Sequence, residues 1–292
     1  MSGEAKQHPL VSRRVYRMTG TESRDLLQRI STADTSPLTQ AQPVATLLTN
    51  EKGRVVDLAC ILPEPHGSLL VAGIGDNDGR VARWLERFII MEDATVDDVS
   101  EAYSTAVVYA EGSDGCWELP ETIPDSIVPV VMGRHRWGLA ILPRNAASLA
   151  LQVVDSPSFM RDRVAAAVPW PPNEVGERRH PLECRLRSLI SFTKGCYIGQ
   201  EVIARLDAYR KVQMALTRFE GMLDPGESAP VTLQTSGGAE AGVVTSIAIG
   251  ATRIHSLGFL RLDHLREGRS VNTPQGAILR PVDTDPEEGI YA

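Results

Sequence analysis

Residues 191 to 203, Ser191-Phe192-Thr193-Lys194-Gly195-Cys196-Tyr197-Ile198-Gly199-Gln200-Glu201-Val202-Ile203, crowd a thiol, an ammonium, a phenol, an amide and a carboxylate around two glycines. Gly195 and Gly199 suit a backbone with positive φ, or the close approach of another group to the main chain. Val202, Ile203, Leu206 and Tyr209 follow at helical spacing, so Gly199-Gln200-Glu201 is expected to open a helix. Cys196 would then stand just before a helix N-terminus and two residues after Lys194. Both the helix dipole and the ammonium favour a thiolate there. The plainer reading of the same residues is a turn with a small buried cysteine.

The rest of the chain bounds what such a stretch can do. At 292 residues it is longer than one core grows, which implies two or three domains. A net charge of −7 argues against nucleic acid or an anionic membrane as the main partner. The opening residues lack the apolar core of a signal peptide, and no apolar run approaches a membrane span, so a cytoplasmic location is expected. Cys60, Cys116, Cys184 and Cys196 are scattered. Neither a disulfide framework nor a metal site of closely spaced ligands is expected from them.

Outward from the central stretch, residues 1 to 13 read as polar and loose. Arg14 to Met18 reads as a strand, followed by a helix burying Leu26, Leu27 and Ile30. Val44 to Thr49 and Arg54 to Leu62 read as strands joined by a turn at Asn50-Glu51-Lys52-Gly53. Ser68 to Ile74 is a further strand. Val81, Trp84, Leu85, Phe88 and Ile89 form one helix stripe whose aromatics belong to the core. Val128 to Met132 and Arg136 to Leu142 suggest a second hairpin. Ser156-Pro157 is expected to cap a helix containing Met160 and Val164. Pro172 to Arg179 is a polar connector, and Pro181 begins a short helix with Leu182, Leu186 and Leu189 inward. Beyond residue 211, short apolar segments between Gly/Pro/Asp turns indicate a small antiparallel sheet or barrel. The whole reads as α+β followed by all-β.

Period-two alternation places Val56, Leu58, Cys60 and Leu62 on one strand face and Asp57 on the other with Val55, Ala59 and Ile61. A carboxylate among apolar neighbours wants a partner; an edge strand with Asp57 in water is the alternative. Arg161, Arg163 and Arg205 are either anion contacts or solvated surface.

Lys194-Gly195-Cys196-Tyr197-Ile198-Gly199-Gln200-Glu201 resembles the K-G-C-Y-x-G-Q-E motif of the YgfZ-type folate-binding proteins, relatives of the glycine-cleavage T-protein that support iron–sulfur cluster assembly or repair. Leu26 to Thr32, Thr49-Asn50-Glu51, Gly53-Arg54, Pro181-Leu182-Glu183 and Gly242 to Ser246 extend the likeness in order along the chain. The resemblance implies a three-domain clover-leaf around a folate channel. Two α+β domains, residues 1–103 and 104–210, would be followed by a C-terminal antiparallel β-barrel, residues 211–292. It implies tetrahydrofolate, or a one-carbon-substituted form, as cofactor. Folate and iron–sulfur client proteins would be the partners, with no nucleic acid, membrane or bound metal. Cys196, Lys194 and Tyr197 would carry chemistry. Asp57, Glu183, Gly195, Gly199, Gln200 and Glu201 would hold the cofactor. T-proteins carry an Asp-Asp pair in the strand corresponding to Asp57, which here is followed by Leu58. A folate-dependent aminomethyltransferase or demethylase is therefore the alternative function, and it requires Asp57 to face the channel. An interaction module with a degenerate pocket is a third reading.

Overall fold

The structure, a computed structural model, describes residues 4–112, 115–120, 124–146, 149–223, 227–249, 254–282 and 287–291. Its first half contains β1 (Lys6–Leu10), β2 (Val15–Thr19), α1 (Ser23–Ile30), β3 (Val44–Thr49), β4 (Val55–Pro63), β5 (Leu69–Gly73), α2 (Arg80–Glu86), β6 (Thr95–Asp98), β7 (Tyr103–Glu111), β8 (Trp117–Glu118), β9 (Ile127–Met132) and β10 (His135–Pro143). Then come β11 (Gln152–Val153), α3 (Ser156–Ala165), α4 (Gln200–Ala208), β12 (Met214–Gly221), β13 (Val231–Gln234), β14 (Glu240–Ile249), β15 (Ile254–Arg261), α5 (Leu262–Arg266), β16 (Val271–Asn272) and β17 (Ile278–Pro281).

The strands form an antiparallel sheet ordered β3-β4-β5-β2-β6, a sheet ordered β11-β1-β7-β10-β9 with β8 on β7, and a closed barrel ordered β12-β15-β14-β13-β16-β17. All strand pairs of the barrel are antiparallel. The architecture is α+β with a C-terminal six-stranded barrel. One apolar core joins all three units: Leu47, Leu58 and Cys60 from the first sheet, Val107 and Trp137 from the second, Phe219 and Phe259 from the barrel.

The β3–β4 hairpin turns as its sequence suggests. Gly53 N–H donates to Asn50 O at 2.8 Å with Gly53 at φ 66°, and Asn50 Oδ1 accepts from the Lys52 and Arg54 amides. A bulge beside this turn pairs Thr49 with Val55 but Leu48 with Asp57. It exchanges two faces of the alternation: Val55 joins Leu58 and Cys60, and Val56 joins Ala59 and Ile61. α1 buries Leu26, Leu27 and Ile30 as expected. α2 ends at Glu86, so Phe88 and Ile89 lie beyond it, with the Phe88 ring edge-on to Trp84 at 4.9 Å.

Three other expectations are corrected. Lys6–Leu10 is not loose but an interior strand between β11 and β7. Gln7 Nε2 donates to Leu149 O and Leu151 O there, and the His8 ring stacks on Phe159 at 4.3 Å. The cap of α3 is Asp155, whose Oδ1 accepts from Ser158 N–H at 2.9 Å, rather than Ser156. The segment after Pro181 is a run of turns ending in a single 3-10 turn, Arg187–Leu189. Arg185 at φ 60° stops a right-handed helix from forming there.

Candidate functional site

The 191–199 loop is fixed at several points to the first sheet. Ser191 N–H donates to Thr32 O at 2.9 Å, and Thr32 Oγ1 donates to Leu189 O at 2.6 Å. Lys194 Nζ donates to Ser31 O at 2.8 Å and Ala33 O at 2.6 Å, just past the C-terminus of α1, where a cation also meets the negative end of the helix. At the far end Thr49 Oγ1 donates to Ile198 O at 2.6 Å. Gly199, at φ 82°, is the N-cap of α4, and a Cβ there would meet Asn50 O at 2.6 Å and Gly53 Cα at 2.9 Å. The helix start and the positive φ at Gly199 are as the sequence suggests, and the glycine is required on both counts. Gly195 differs. It is not among the glycines of positive φ, and a Cβ on it would meet nothing within 4 Å.

Between these anchors Cys196 is exposed, while Cys60, Cys116 and Cys184 are buried. Cys196 precedes the α4 N-cap by three residues, and the Lys194 ammonium is committed to the carbonyls beside α1. Burial lowers the Lys194 pKa to about 8, an effect Asp34 partly offsets. Tyr197 is buried beneath the loop with the Lys194 ammonium 5.5 Å from its ring centroid. Burial, with a contribution from Asp207, pushes its phenol up to about 12, and its hydroxyl has no partner among the described residues. Gln200 is half-buried at the start of α4, and Glu201 is exposed in the first turn, where its charge suits the helix dipole.

The 50–53 turn connects this loop to Glu183. Gly53 packs against Gly199, and Gly53 O lies 2.8 Å from His180 Nδ1. Glu183 Oε2 accepts from His180 N–H at 3.0 Å and lies 3.5 Å from Arg54 NH1, the residue after the turn. Glu183 and the thiol loop therefore flank a single hairpin turn.

Asp57 lies further along β4. β4 is an interior strand and Asp57 is 1% exposed, so the edge-strand reading is excluded. Its Oδ1 accepts from Leu58 N–H at 2.8 Å and Gly75 N–H at 2.9 Å. Its Oδ2 is buried without a hydrogen-bond partner among the described residues. Burial raises the carboxyl pKa to about 7; the Gly75 amide and the Arg80 charge pull it back only in part. A carboxyl poised near neutrality can hold or release a proton.

Sequence reasoning missed the buried carboxylate of Glu174. Glu174, in the segment that reads as a polar connector, is fully buried and pairs with Arg163 at 3.0 Å. Ser246 Oγ donates to its Oε1 at 2.7 Å, and Trp170 N–H donates to its Oε2 at 3.1 Å. Arg163 is thus neither a ligand contact nor solvated surface, but the clasp between α3 and barrel strand β14. Arg161 and Arg205 are exposed. A cavity of about 290 Å³ lies beside this clasp, between the β9–β10 turn, the end of α3 and the barrel; neither Asp57, Glu183 nor residues 194–201 line it. No group of acidic, histidine or cysteine side chains suited to a metal ion occurs among the described residues, nor is any helix among them long and apolar enough to cross a membrane.

No family model matches the chain. By sequence it is 22% identical over 224 residues to the tRNA-modifying protein YgfZ of Colwellia psychrerythraea, across 71% of this chain and 69% of the relative. It is 35% identical over 88 residues to a putative chloroplastic transferase of Arabidopsis thaliana, a match spanning 30% of this chain and 20% of that protein. Its fold is similar to the crystal structure of the glycine cleavage system aminomethyltransferase T from Bartonella henselae. The TM-score is 0.75 over 99% of this chain and 88% of that one, at 15% identity. The 194–201 motif and the sequence match both liken the chain to YgfZ, and its architecture is the GcvT-like fold.

Proposed function

We propose that this protein binds tetrahydrofolate, or a one-carbon-substituted form, and assists assembly or repair of iron–sulfur clusters in client enzymes, with Cys196 as a reactive thiol. The observation that carries the proposal is the exposure of Cys196 on a loop whose flanking residues are tied to α1 and to the 50–53 turn. Such a thiol is presented to a partner while its loop stays fixed. The other cysteines are buried, and burial pushes the Cys60 and Cys184 thiols well above their usual range. The name of the YgfZ relative refers to tRNA modification. At a net charge of −7 direct RNA binding is disfavoured, so a client enzyme acting on tRNA accommodates that name better than contact with RNA.

The residues present fit a folate. Bound tetrahydrofolate supplies a one-carbon carrier whose pterin ring offers N–H donors, and Asp57 Oδ2 is a buried acceptor in need of one. Glu183 supplies a second carboxylate beside the 50–53 turn. Glu183→Ala is expected to weaken tetrahydrofolate binding by about 1–3 kcal/mol, because it leaves ligand donors unpaired. Calorimetric titration reads this directly, and unchanged affinity would remove Glu183 from the site.

One observation favours the alternative aminomethyltransferase or demethylase chemistry: burial pushes the Asp57 carboxyl up to about 7, as a proton-transfer group requires; that chemistry also requires Asp57 to face a channel, and at 1% exposure it is closed to solvent. Its raised value has a consequence for stability. The folded state holds the Asp57 proton longer than the unfolded chain, so its contribution is fully present below about pH 4 and is lost as pH rises through about 7. The shift corresponds to about 4 kcal/mol, whereas an asparagine amide without an acceptor costs about 1–3 kcal/mol. Asp57→Asn is therefore expected to stabilise the protein at pH 8 and to change it little at pH 4, where the protonated Asp57 carboxyl lacks an acceptor for its own O–H. Urea midpoints at the two pH values decide this; the same change at both would mean that Asp57 is not held neutral by burial.

A further inference from the structure

Four consecutive apolar residues, Phe88-Ile89-Ile90-Met91, follow α2, and the fold uses only the first two. Phe88 and Ile89 pack against the apolar cluster of the first sheet. Ile90 and Met91 are 83% and 92% exposed. Apolar side chains scattered singly over a surface are ordinary, but an adjacent pair at a loop tip is a contiguous apolar surface. The tip is built rather than frayed. Glu92 Oε2 accepts from the Ile90 and Met91 amides at 2.9 and 3.1 Å. Asp93 N–H donates to Glu22 Oε2 at 2.6 Å, and Asp93 O accepts from Glu22 N–H at 3.1 Å. The backbone is thus bonded while the two apolar side chains stand outside, an arrangement that needs little further ordering when something binds.

This tip shares its supports with the loop that carries Cys196. Arg87 pairs with Glu51 of the 50–53 turn at 2.6 Å, and Arg29 of α1 pairs with Glu92 at 3.2 Å. The 191–199 loop is tied to the same hairpin through Thr49 and Gly199, and to the residues just past α1 through Lys194. Ile198 packs against the same apolar cluster as Phe88 and Ile89. Both loops therefore run between the β3–β4 turn and α1, one exposing Cys196 and the other Ile90 and Met91. Next to the thiol, a Cβ at Gly195 would meet nothing within 4 Å. The chain raises no wall there, so whatever meets the thiol brings its own.

We propose that Ile90 and Met91 are the anchor by which a client protein docks on the face that carries Cys196, the two side chains entering an apolar recess of that protein. The inference rests on the reading of Cys196 as a thiol presented to a client. The surface has the anatomy of a protein–protein contact: an apolar centre that includes a methionine, flanked by the exposed charged pairs Arg87–Glu51 and Arg29–Asp25. Acidic groups in that rim and a net charge of −7 disfavour nucleic acid and an anionic membrane. Two exposed loops do not enclose a small molecule, whose sites are concave. A protein with a recess supplies the missing walls.

The test is complementation of cells lacking the protein, read as the activity of their iron–sulfur enzymes. The full chain is supplied with Ile90→Asp and Met91→Asp together, or with Ile90→Leu and Met91→Leu together. The aspartate pair is expected to lower that activity to the level of uncomplemented cells, and the leucine pair to keep the wild-type level, because it preserves the apolar anchor. Both side chains are exposed, so the purified variants should melt with the wild type, and iodoacetamide should alkylate Cys196 in them at the wild-type rate. A lowered melting temperature for the aspartate pair would assign the two residues to stability and overturn the inference. Wild-type enzyme activity with the aspartate pair, in cells where Cys196→Ala fails, would overturn it while leaving the thiol reading intact. Full complementation by Cys196→Ala would instead overturn the thiol reading itself. Sedimentation equilibrium of the wild type should show a monomer; a dimer that the aspartate pair dissociates would give the tip to a second copy of the chain and overturn client docking.

Discussion

Glu174→Ala is expected to destabilise the protein by about 3–5 kcal/mol, the cost of leaving a buried charge without its partner. Arg163 is 1% exposed and its guanidinium donates to Glu174 Oε2 at 3.0 Å, Ser246 Oγ at 2.6 Å and Val168 O at 3.4 Å. Glu174 Oε1 also accepts from Thr245 Oγ1 at 2.5 Å. Removing the carboxylate strands the guanidinium in the core and takes away the acceptor that Ser246 and Thr245 of β14 share. A paired replacement, Arg163→Met with Glu174→Leu, is expected to cost much less, because no charge remains to be desolvated. Urea unfolding followed by tryptophan fluorescence separates the two variants. A loss below about 1 kcal/mol for Glu174→Ala would mean that the pair behaves as a surface ion pair, contrary to its burial.

Cys196→Ala is expected to leave fold and folate affinity nearly intact while abolishing function in cells. The thiol is exposed, and no hydrogen bond that fixes the loop involves its side chain. The loop is held by the Lys194 ammonium, by the Ile198 carbonyl and by Gly199. The measurement is complementation of cells lacking the protein, read as the activity of their iron–sulfur enzymes, with the melting temperature of the purified variant as control. Full complementation by the alanine variant would end the thiol role.

Much of this was legible because local chemistry and tertiary structure agree. Asn50 and Gly53 specify a turn whose bonds they make themselves, and Gly199 marks a helix start that only glycine fits against Asn50. The apolar alternation after residue 211 closes into the barrel. What stayed hidden depends on partners distant in sequence. The bulge at Thr49 and Val55 arises from strand pairing, and it moved two valines across the sheet. Glu174 looks like connector polarity until Arg163 and Ser246 are brought to it from 11 and 72 residues away. Gly195 is the reverse case. Its residue type suggested a strained backbone, but its φ lies outside the left-handed region and a side chain there would point into open space.

The most direct test of the account is calorimetric titration of tetrahydrofolate into the wild-type protein and into Cys196→Ala. The account predicts saturable binding of one ligand per chain with matching affinities, since the carboxylates proposed to meet the folate and the exposed thiol are different side chains. Absence of binding by the wild type would contradict it, leaving the 194–201 motif to serve a protein–protein contact instead.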